Sequence, residues 1–272
     1  MLKKGEVFKL DMCPVLLKLG QISINTYGFF LFIGFLLAVL YFRKKSNIYN
    51  FQDRFIYDFA FWVMSSGIIG ARLGYVILNL TYYLENPLEI FMVWRGGLVF
   101  YGGCIFGIIA GILVVNKYKI LPWQRVADIA APAVSLAGSI GRIGCFFAGC
   151  CYGRPTESFL GVTFTRPESI APVGIKLIPT QLIEALGNFV IFLFLNNKLK
   201  NIKFPGQVFI LYFWLYSILR FIMEFLRGDD RGPVFLTFTT LQWITVGIFI
   251  FTSVILIKKF SKSSREDISG RS

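Results

Sequence analysis

The chain has 272 residues, of which 56% are apolar and only 16% charged; phenylalanine occurs 30 times and the formal net charge is +13. A soluble domain is about 25% charged, so the composition excludes an ordinary soluble enzyme, a disordered chain and a secreted disulfide scaffold. Histidine is absent, which excludes a histidine proton shuttle, a histidine-bound zinc and a Ser-His-Asp triad.

Residues 1–20 do not read as a signal peptide: Lys3 and Lys4 lead into no continuous apolar run before Lys9 and Asp11. Apolar stretches of about 20 residues predict membrane helices. Seven are found, near 22–42, 55–80, 97–116, 126–148, 180–196, 206–226 and 238–257. Between the fourth and fifth, residues 152–179 are rich in proline and glycine and predict a small extracytoplasmic cap with a short strand around Gly161–Thr165. The expected fold is all-α, a polytopic membrane protein with about seven transmembrane helices. One integral-membrane domain covers 1–260, and 261–272 form a polar cytoplasmic tail.

Positive charge is dense at Arg43–Lys45, Lys117–Arg125, Lys198–Lys203 and Lys258–Arg271. The positive-inside rule places these segments in the cytoplasm, with the C-terminus inside and the N-terminus outside. The net charge therefore reads as loops facing anionic lipid, not as a nucleic-acid surface.

A charge deep in hydrocarbon costs about 2.5–3.5 kcal/mol on insertion scales. Arg72, Arg142, Glu184, Arg220 and Glu224 all fall inside predicted spans, while Asp58 and Asp128 fall near cytoplasmic ends within reach of water. Tyr216, Arg220 and Glu224 are spaced to share one helical stripe. One reading is an ion pair that locks helices together. The other is a site for an anionic lipid phosphate, which suits an arginine fork, with Glu224 orienting Arg220. The excess of buried arginines over deep acids favours the second.

The stretch from Gly141 to Thr156 is the most informative. Its glycines allow close backbone approach and end the helix around Gly149, so Arg142 and Arg154 flank a broken helix end. Cys145, Cys150 and Cys151 cluster within it. Buried thiols are usually inert packing groups, but a nearby cation such as Arg142 can make one a nucleophile. With no histidine, a zinc site would need four thiolates, and the spacing matches no CxxC pair. No metal or cofactor is expected.

Several motifs together resemble the prolipoprotein diacylglyceryl transferases: Asn25-Thr26-Tyr27-Gly28, Gly70-Ala71-Arg72-Leu73-Gly74-Tyr75, Trp94 through Gly103, Asp128 through Pro132, Gly141-Arg142-Ile143-Gly144, Tyr152-Gly153-Arg154, Pro179 through Glu184, and Tyr216 through Arg227. The resemblance covers about residues 20–257. It implies a seven-span enzyme of the bacterial inner membrane that moves diacylglyceryl from phosphatidylglycerol to a cysteine thiol of a lipoprotein precursor. It also implies that Tyr27, Arg142, Gly153, Tyr216, Arg220 and Glu224 bind or orient the phospholipid headgroup. The chain departs from the family pattern where Tyr101 and Ile178 stand for histidines, Cys145 and Ala148 for asparagines, and Cys150 for a glutamate.

The expected substrate-binding set is Tyr27, Arg72, Arg142, Gly153, Arg154, Tyr216, Arg220, Glu224 and Arg227. The expected catalytic set is Tyr101, Cys150, Arg142 and Arg220. Arg142 and Arg220 would hold phosphate, Arg154 or Arg227 the product phosphate, and Tyr27 and Tyr101 would hydrogen-bond lipid or acceptor. Expected partners are phosphatidylglycerol or a similar anionic phospholipid and lipoprotein precursors. A rival reading is a membrane protein that binds or translocates phospholipid without catalysis.

Overall fold

A computed structural model describes residues 9–10, 15–19, 22–93, 96–120, 122–230 and 234–269. The leader question at residues 1–8, Cys13, and the Trp94-Arg95 part of one motif lie outside the described residues. In chain order the elements are β1 (Lys9–Leu10), β2 (Val15–Leu19), β3 (Ile22–Asn25), α1 (Thr26–Ser46), α2 (Asp53–Leu78), α3 (Leu80–Glu85), α4 (Phe100–Lys117) and α5 (Trp123–Ala148). They continue with β4 (Val162–Phe164), β5 (Lys176–Leu177), α6 (Thr180–Lys198), α7 (Gln207–Leu226), β6 (Val234–Phe235), β7 (Phe238–Thr239) and α8 (Thr240–Ser269). The chain is mostly helical, at 72%.

Each predicted span is occupied by a helix. Among the described residues, five regions are long and apolar enough to cross a membrane: Thr26–Tyr49, Asp53–Leu78, Trp123–Ala148, Gln207–Leu226 and Thr240–Lys262. Tyr101–Lys117 is a shorter apolar helix. Large apolar side chains such as Phe61, Ile69 and Leu113 stand exposed, while Arg220, Glu184, Gln181 and Asp128 are buried. That pattern is inverted relative to a water-soluble core and suits a lipid solvent. The chain is a multi-pass membrane protein.

Two expectations need correction, and the tail gains a defined secondary structure. The first span does not begin at 22. Ile22–Asn25 is a strand paired antiparallel with β2, and the helix starts at Thr26, because the Ile-Ser-Ile-Asn alternation carries the strand period. The polar tail is helical up to Ser269; no glycine or proline interrupts Ile248–Ser269, and Gly270 follows. Asp128 is fully buried, not water-facing.

The chain divides into two compact units, one of Met1–Tyr41 with Ala127–Ser272, the other Phe42–Val126. In the smaller unit α2 crosses α4 through glycines. A Cβ on Gly102 would overlap the Gly70 carbonyl, and one on Gly70 would strike Phe106 and the Gly102 carbonyl oxygen. Small residues bring helix backbones together where lipid supplies no hydrophobic drive. Beyond α2, Gly96 and Gly97 adopt φ of +86° and +74°. These left-handed conformations suit glycine.

In the larger unit α1 meets α5 at Gly34, where an added Cβ would lie 3.0 Å from the Ala137 carbonyl oxygen, and again where Gly144 faces Tyr27. Helices α5 and α6 are joined by two buried hydroxyls, Ser135 to the Asn188 carbonyl and Ser139 to the Ala185 carbonyl, each at 2.8 Å. Asp128 of α5 accepts from the backbone N–H groups of Gly206, Val208 and Phe209 at 2.8, 2.8 and 3.0 Å. A carboxylate thus serves as a tertiary cap for α7, satisfying orphan donors and facing the positive end of its dipole. Replacing Asp128 by Ala is expected to destabilise the protein by about 2–3 kcal/mol, read as a lowered thermal midpoint in detergent; an unchanged midpoint would remove the cap from the account. Above α5, Phe146, Val162, Phe164, Ala171 and Leu177 form a small apolar core. It includes residues of β4, the strand expected around Gly161–Thr165, and of β5, its antiparallel partner.

Candidate active site

Three helices of the larger unit converge on a buried ionic chain. Arg142 Nη2 lies 2.9 Å from Glu184 Oε1, Glu184 Oε2 lies 3.9 Å from Arg220 Nη1, and Arg220 Nη2 lies 3.2 Å from Glu224 Oε2. Arg220 and Glu224 are one helical turn apart on α7, as their spacing predicts. Tyr216, one turn earlier, is within electrostatic reach of Arg142 and Glu184. Thr239, just before α8, donates to Glu224 at 3.0 Å.

Glu184 is the residue that sequence reasoning left out of the site. It is 1% exposed and is shared by two guanidinium groups. The signal was present: an acid inside a predicted span, at the end of the Pro179–Glu184 motif. The cationic excess expected from counting is not found in this cluster, where two arginines face two carboxylates. What remains is unfilled donor capacity. A guanidinium has five N–H donors, yet Arg220 Nη1 is buried without a hydrogen-bond partner among the described residues. The Arg142 side chain keeps 21% exposure.

The exit from α5 is shaped by backbone conformation. The helix ends at Ala148, Gly149 takes φ +73°, and Cys151 takes φ +60°. A left-handed conformation costs a non-glycine residue about 1–2 kcal/mol. The turn is held from α6: Thr180 Oγ1 donates to the Cys151 carbonyl and Gln181 Nε2 to the Cys150 carbonyl, both at 2.8 Å.

Gly153 then threads between two segments. Its N–H donates to the Ile178 carbonyl at 3.1 Å, and the Gly228 N–H donates to the Tyr152 carbonyl at 3.0 Å. A Cβ on Gly153 would strike Ile178. The need for glycine here is steric, and it sets the position of its neighbours. Arg154 is exposed and donates through Nε to the Arg227 carbonyl at 3.2 Å. Arg227 is buried and makes a two-point pair with Asp229, at 2.9 and 2.6 Å. Asp229 is a second acid that the sequence reading did not single out.

Tyr27, half exposed at the start of α1, packs against Gly144 and is within electrostatic reach of Arg142 and the cysteines. Cys145, Cys150 and Cys151 are free thiols whose sulfurs all lie within 4.8 Å of one another. Hydrogen bonds involving Cys145 and Cys150, then the Arg227 guanidinium, hold the Cys151 thiol below its usual range. The Cys150 thiol is pushed up by its bonds to the other two.

Arg72 and Tyr101 lie in the smaller unit and are described with it. The Arg72 guanidinium donates to the carbonyls of Ile90 at 2.8 Å, Gly96 at 2.7 Å and Gly97 at 3.2 Å, and also to that of Glu89. It lies 5.2 Å from the Tyr83 ring centroid. Its donors are taken by the segment after α3, which makes Arg72 a brace for that segment; its expected role toward substrate finds no support in these contacts. Tyr101, in the first turn of α4, is 58% exposed.

The sequence model of the prolipoprotein diacylglyceryl transferases matches residues 14–258. The chain belongs to this family. It is 38% identical over 246 residues to a phosphatidylglycerol–prolipoprotein diacylglyceryl transferase of Clostridium tetani, covering 88% of this chain and 97% of that relative. It is 36% identical over 252 residues to an enzyme of that name numbered 2 from Clostridium perfringens, covering 90% and 94%. A third relative of the same name, from Finegoldia magna, is 37% identical over 242 residues, covering 89% and 93%. Family membership turns the buried ionic chain from a packing device into the leading candidate for headgroup recognition.

Proposed function

We propose that this chain transfers the diacylglyceryl group of phosphatidylglycerol to a lipoprotein precursor in the outer leaflet of the bacterial cytoplasmic membrane. The observation that carries the site is the buried Arg220 guanidinium, one nitrogen of which has no hydrogen-bond partner among the described residues. A buried donor left unfilled costs about 1–3 kcal/mol, and a phosphate oxygen is the acceptor best matched to it. In the reaction, a sulfur–carbon bond forms at the glyceryl group as the carbon–oxygen bond to phosphate breaks. The thiol proton is released, and glycerol phosphate leaves with the electron pair. Arg142 and Arg220 stabilise that developing charge, Glu184 and Glu224 fix their orientation, and Tyr27 and Tyr216 line the headgroup. Arg154 and Arg227 serve the departing phosphate from the loop beyond α5.

All seven predicted spans cross the membrane in this reading, and 1–260 form one domain. The unit boundaries fall inside α1 and α5 and not in linkers. Basic clusters lie at the C-terminal ends of α1, α4 and α6 and recur within the last part of α8, which supports a cytoplasmic C-terminus and an external N-terminus. Helix α6 contributes Gln181, Glu184 and Asn188 to the protein interior, and these polar residues lower its apolar content.

The full chain in detergent, given labelled phosphatidylglycerol and a precursor peptide with one acceptor cysteine, is expected to form a thioether product. Arg142→Ala should lower the rate about 100- to 1,000-fold, the cost of one lost donor to developing charge. Lipid binding without product would overturn the transferase reading. Full activity of Arg142→Ala would overturn the site.

A further inference from the structure

We propose that Cys145, Cys150 and Cys151 form a three-sulfur site for one thiophilic divalent metal ion of the zinc class. Sequence spacing argued against this, because it offers three clustered thiols where a structural zinc site uses four ligands. The fold changes the comparison. Cys145 lies in the last turn of α5, and the chain then reverses through Gly149 at φ +73° and Cys151 at φ +60°. This brings three sulfurs that are five and six residues apart in sequence to within 4.8 Å of one another. Zinc–sulfur bonds of about 2.3 Å in tetrahedral geometry set sulfurs about 3.8 Å apart. The cluster therefore needs to contract by about 1 Å at most, within reach of side-chain rotation.

Features outside the cluster point the same way. Gln181 is 1% exposed and anchors the Cys150 carbonyl through Nε2, yet its Oε1 is buried without a hydrogen-bond partner among the described residues. Ser169 Oγ is likewise unpartnered and lies against Gly149. These orphan oxygens beside the turn are the groups that a metal-bound water would satisfy.

Two cations flank the sulfurs: Arg227 is within electrostatic reach of Cys151, and Arg142 of Cys145 and Cys151. They favour an anionic trithiolate complex. An odd number of converging thiols cannot all be consumed by disulfides. Thiolate ligands select zinc or cuprous ions over hard cations. Three protein ligands leave a fourth position for an exchangeable ligand, the arrangement of catalytic zinc sites.

This site stands whether or not the transferase reading does, and its test uses no lipid. The full chain, purified anaerobically in detergent, is expected to retain one zinc ion per chain. Titrated with Co(II) after zinc removal, it should develop a sulfur-to-cobalt charge-transfer band that saturates at one ion per chain. Cys145→Ser, Cys150→Ser and Cys151→Ser should each weaken Co(II) binding by at least about 100-fold, since losing even an outer partner costs 10- to 100-fold. Cys104→Ser, in the smaller unit, should bind as wild type. Because a serine variant can fail by misfolding, the wild-type titration stands by itself: no charge-transfer band with all thiols reduced overturns the proposal. So does metal binding unchanged in the triple serine variant, or an intact mass showing a disulfide among the three as isolated.

Discussion

Arg220→Ala is expected to lower diacylglyceryl transfer about 100- to 1,000-fold, with Arg220→Lys recovering part of the loss. Arg220 is 7% exposed and lies between Glu184 and Glu224. One of its terminal nitrogens faces Glu224, and the other is without a hydrogen-bond partner among the described residues. Alanine removes both the phosphate donor and the cation that keeps the two carboxylates apart. Lysine restores the charge but not the planar fork. The two variants therefore separate charge from geometry. Initial rates with labelled phosphatidylglycerol, beside a lipid-binding titration, check the expectation. If Arg220→Ala turned over like wild type while folded, Arg220 would be a brace between helices and nothing more. Recovery of full activity by lysine would show that charge alone is read.

Glu184→Gln should have the largest effect on stability, about 3–5 kcal/mol, the range for breaking a buried ion pair by removing one partner. Glu184 faces a guanidinium on either side: Arg142 of α5 at 2.9 Å and Arg220 of α7 at 3.9 Å. Glutamine has nearly the same shape, so little packing is lost. Its neutral head leaves Arg142 without the carboxylate it faces and gives Arg220 only Glu224 within ion-pair distance. Thermal unfolding of Glu184→Gln, Arg142→Gln and the double variant gives the coupling. Residues in one ionic network couple by about 0.5–3 kcal/mol. Strict additivity would mean that Arg142 and Glu184 do not act as a pair in the folded protein.

The two experiments read different consequences of one arrangement. The ionic chain links α5, α6 and α7, and in the proposed reading the same constraint aims guanidinium donors at the lipid phosphate. A structural role and a binding role are therefore not alternatives here, although the sequence presents them as such. In the proposed reading, Glu184 carries most of the structural part, and the unfilled side of Arg220 carries the recognition part.

Much of this was written into the sequence. Apolar runs set the helices because a chain in lipid must satisfy its backbone internally, and all seven runs are helical. The spacing of Tyr216, Arg220 and Glu224 specified their shared stripe, since the helical period is local. The end of α5 near Gly149 was legible for the same reason: a positive φ suits glycine. The motifs were sufficient to indicate the family.

Other features depended on which helices meet. Asp128 looked like a solvated acid near a span end, but α7 begins beside it and supplies three N–H groups. Arg72 looked like a third lipid-binding arginine, but the segment after α3 surrounds it with carbonyls. Glu184 became the centre of the site only when α5 and α7 brought arginines to it from either side, and the three thiols became a cluster only through the reversal after Gly149. Hydrophobic periodicity reports which face of a helix avoids water; it holds no information about which charged group on another helix, far along the chain, will stand opposite. Pairing of buried charges is a long-range property, so the tertiary structure alone decided it.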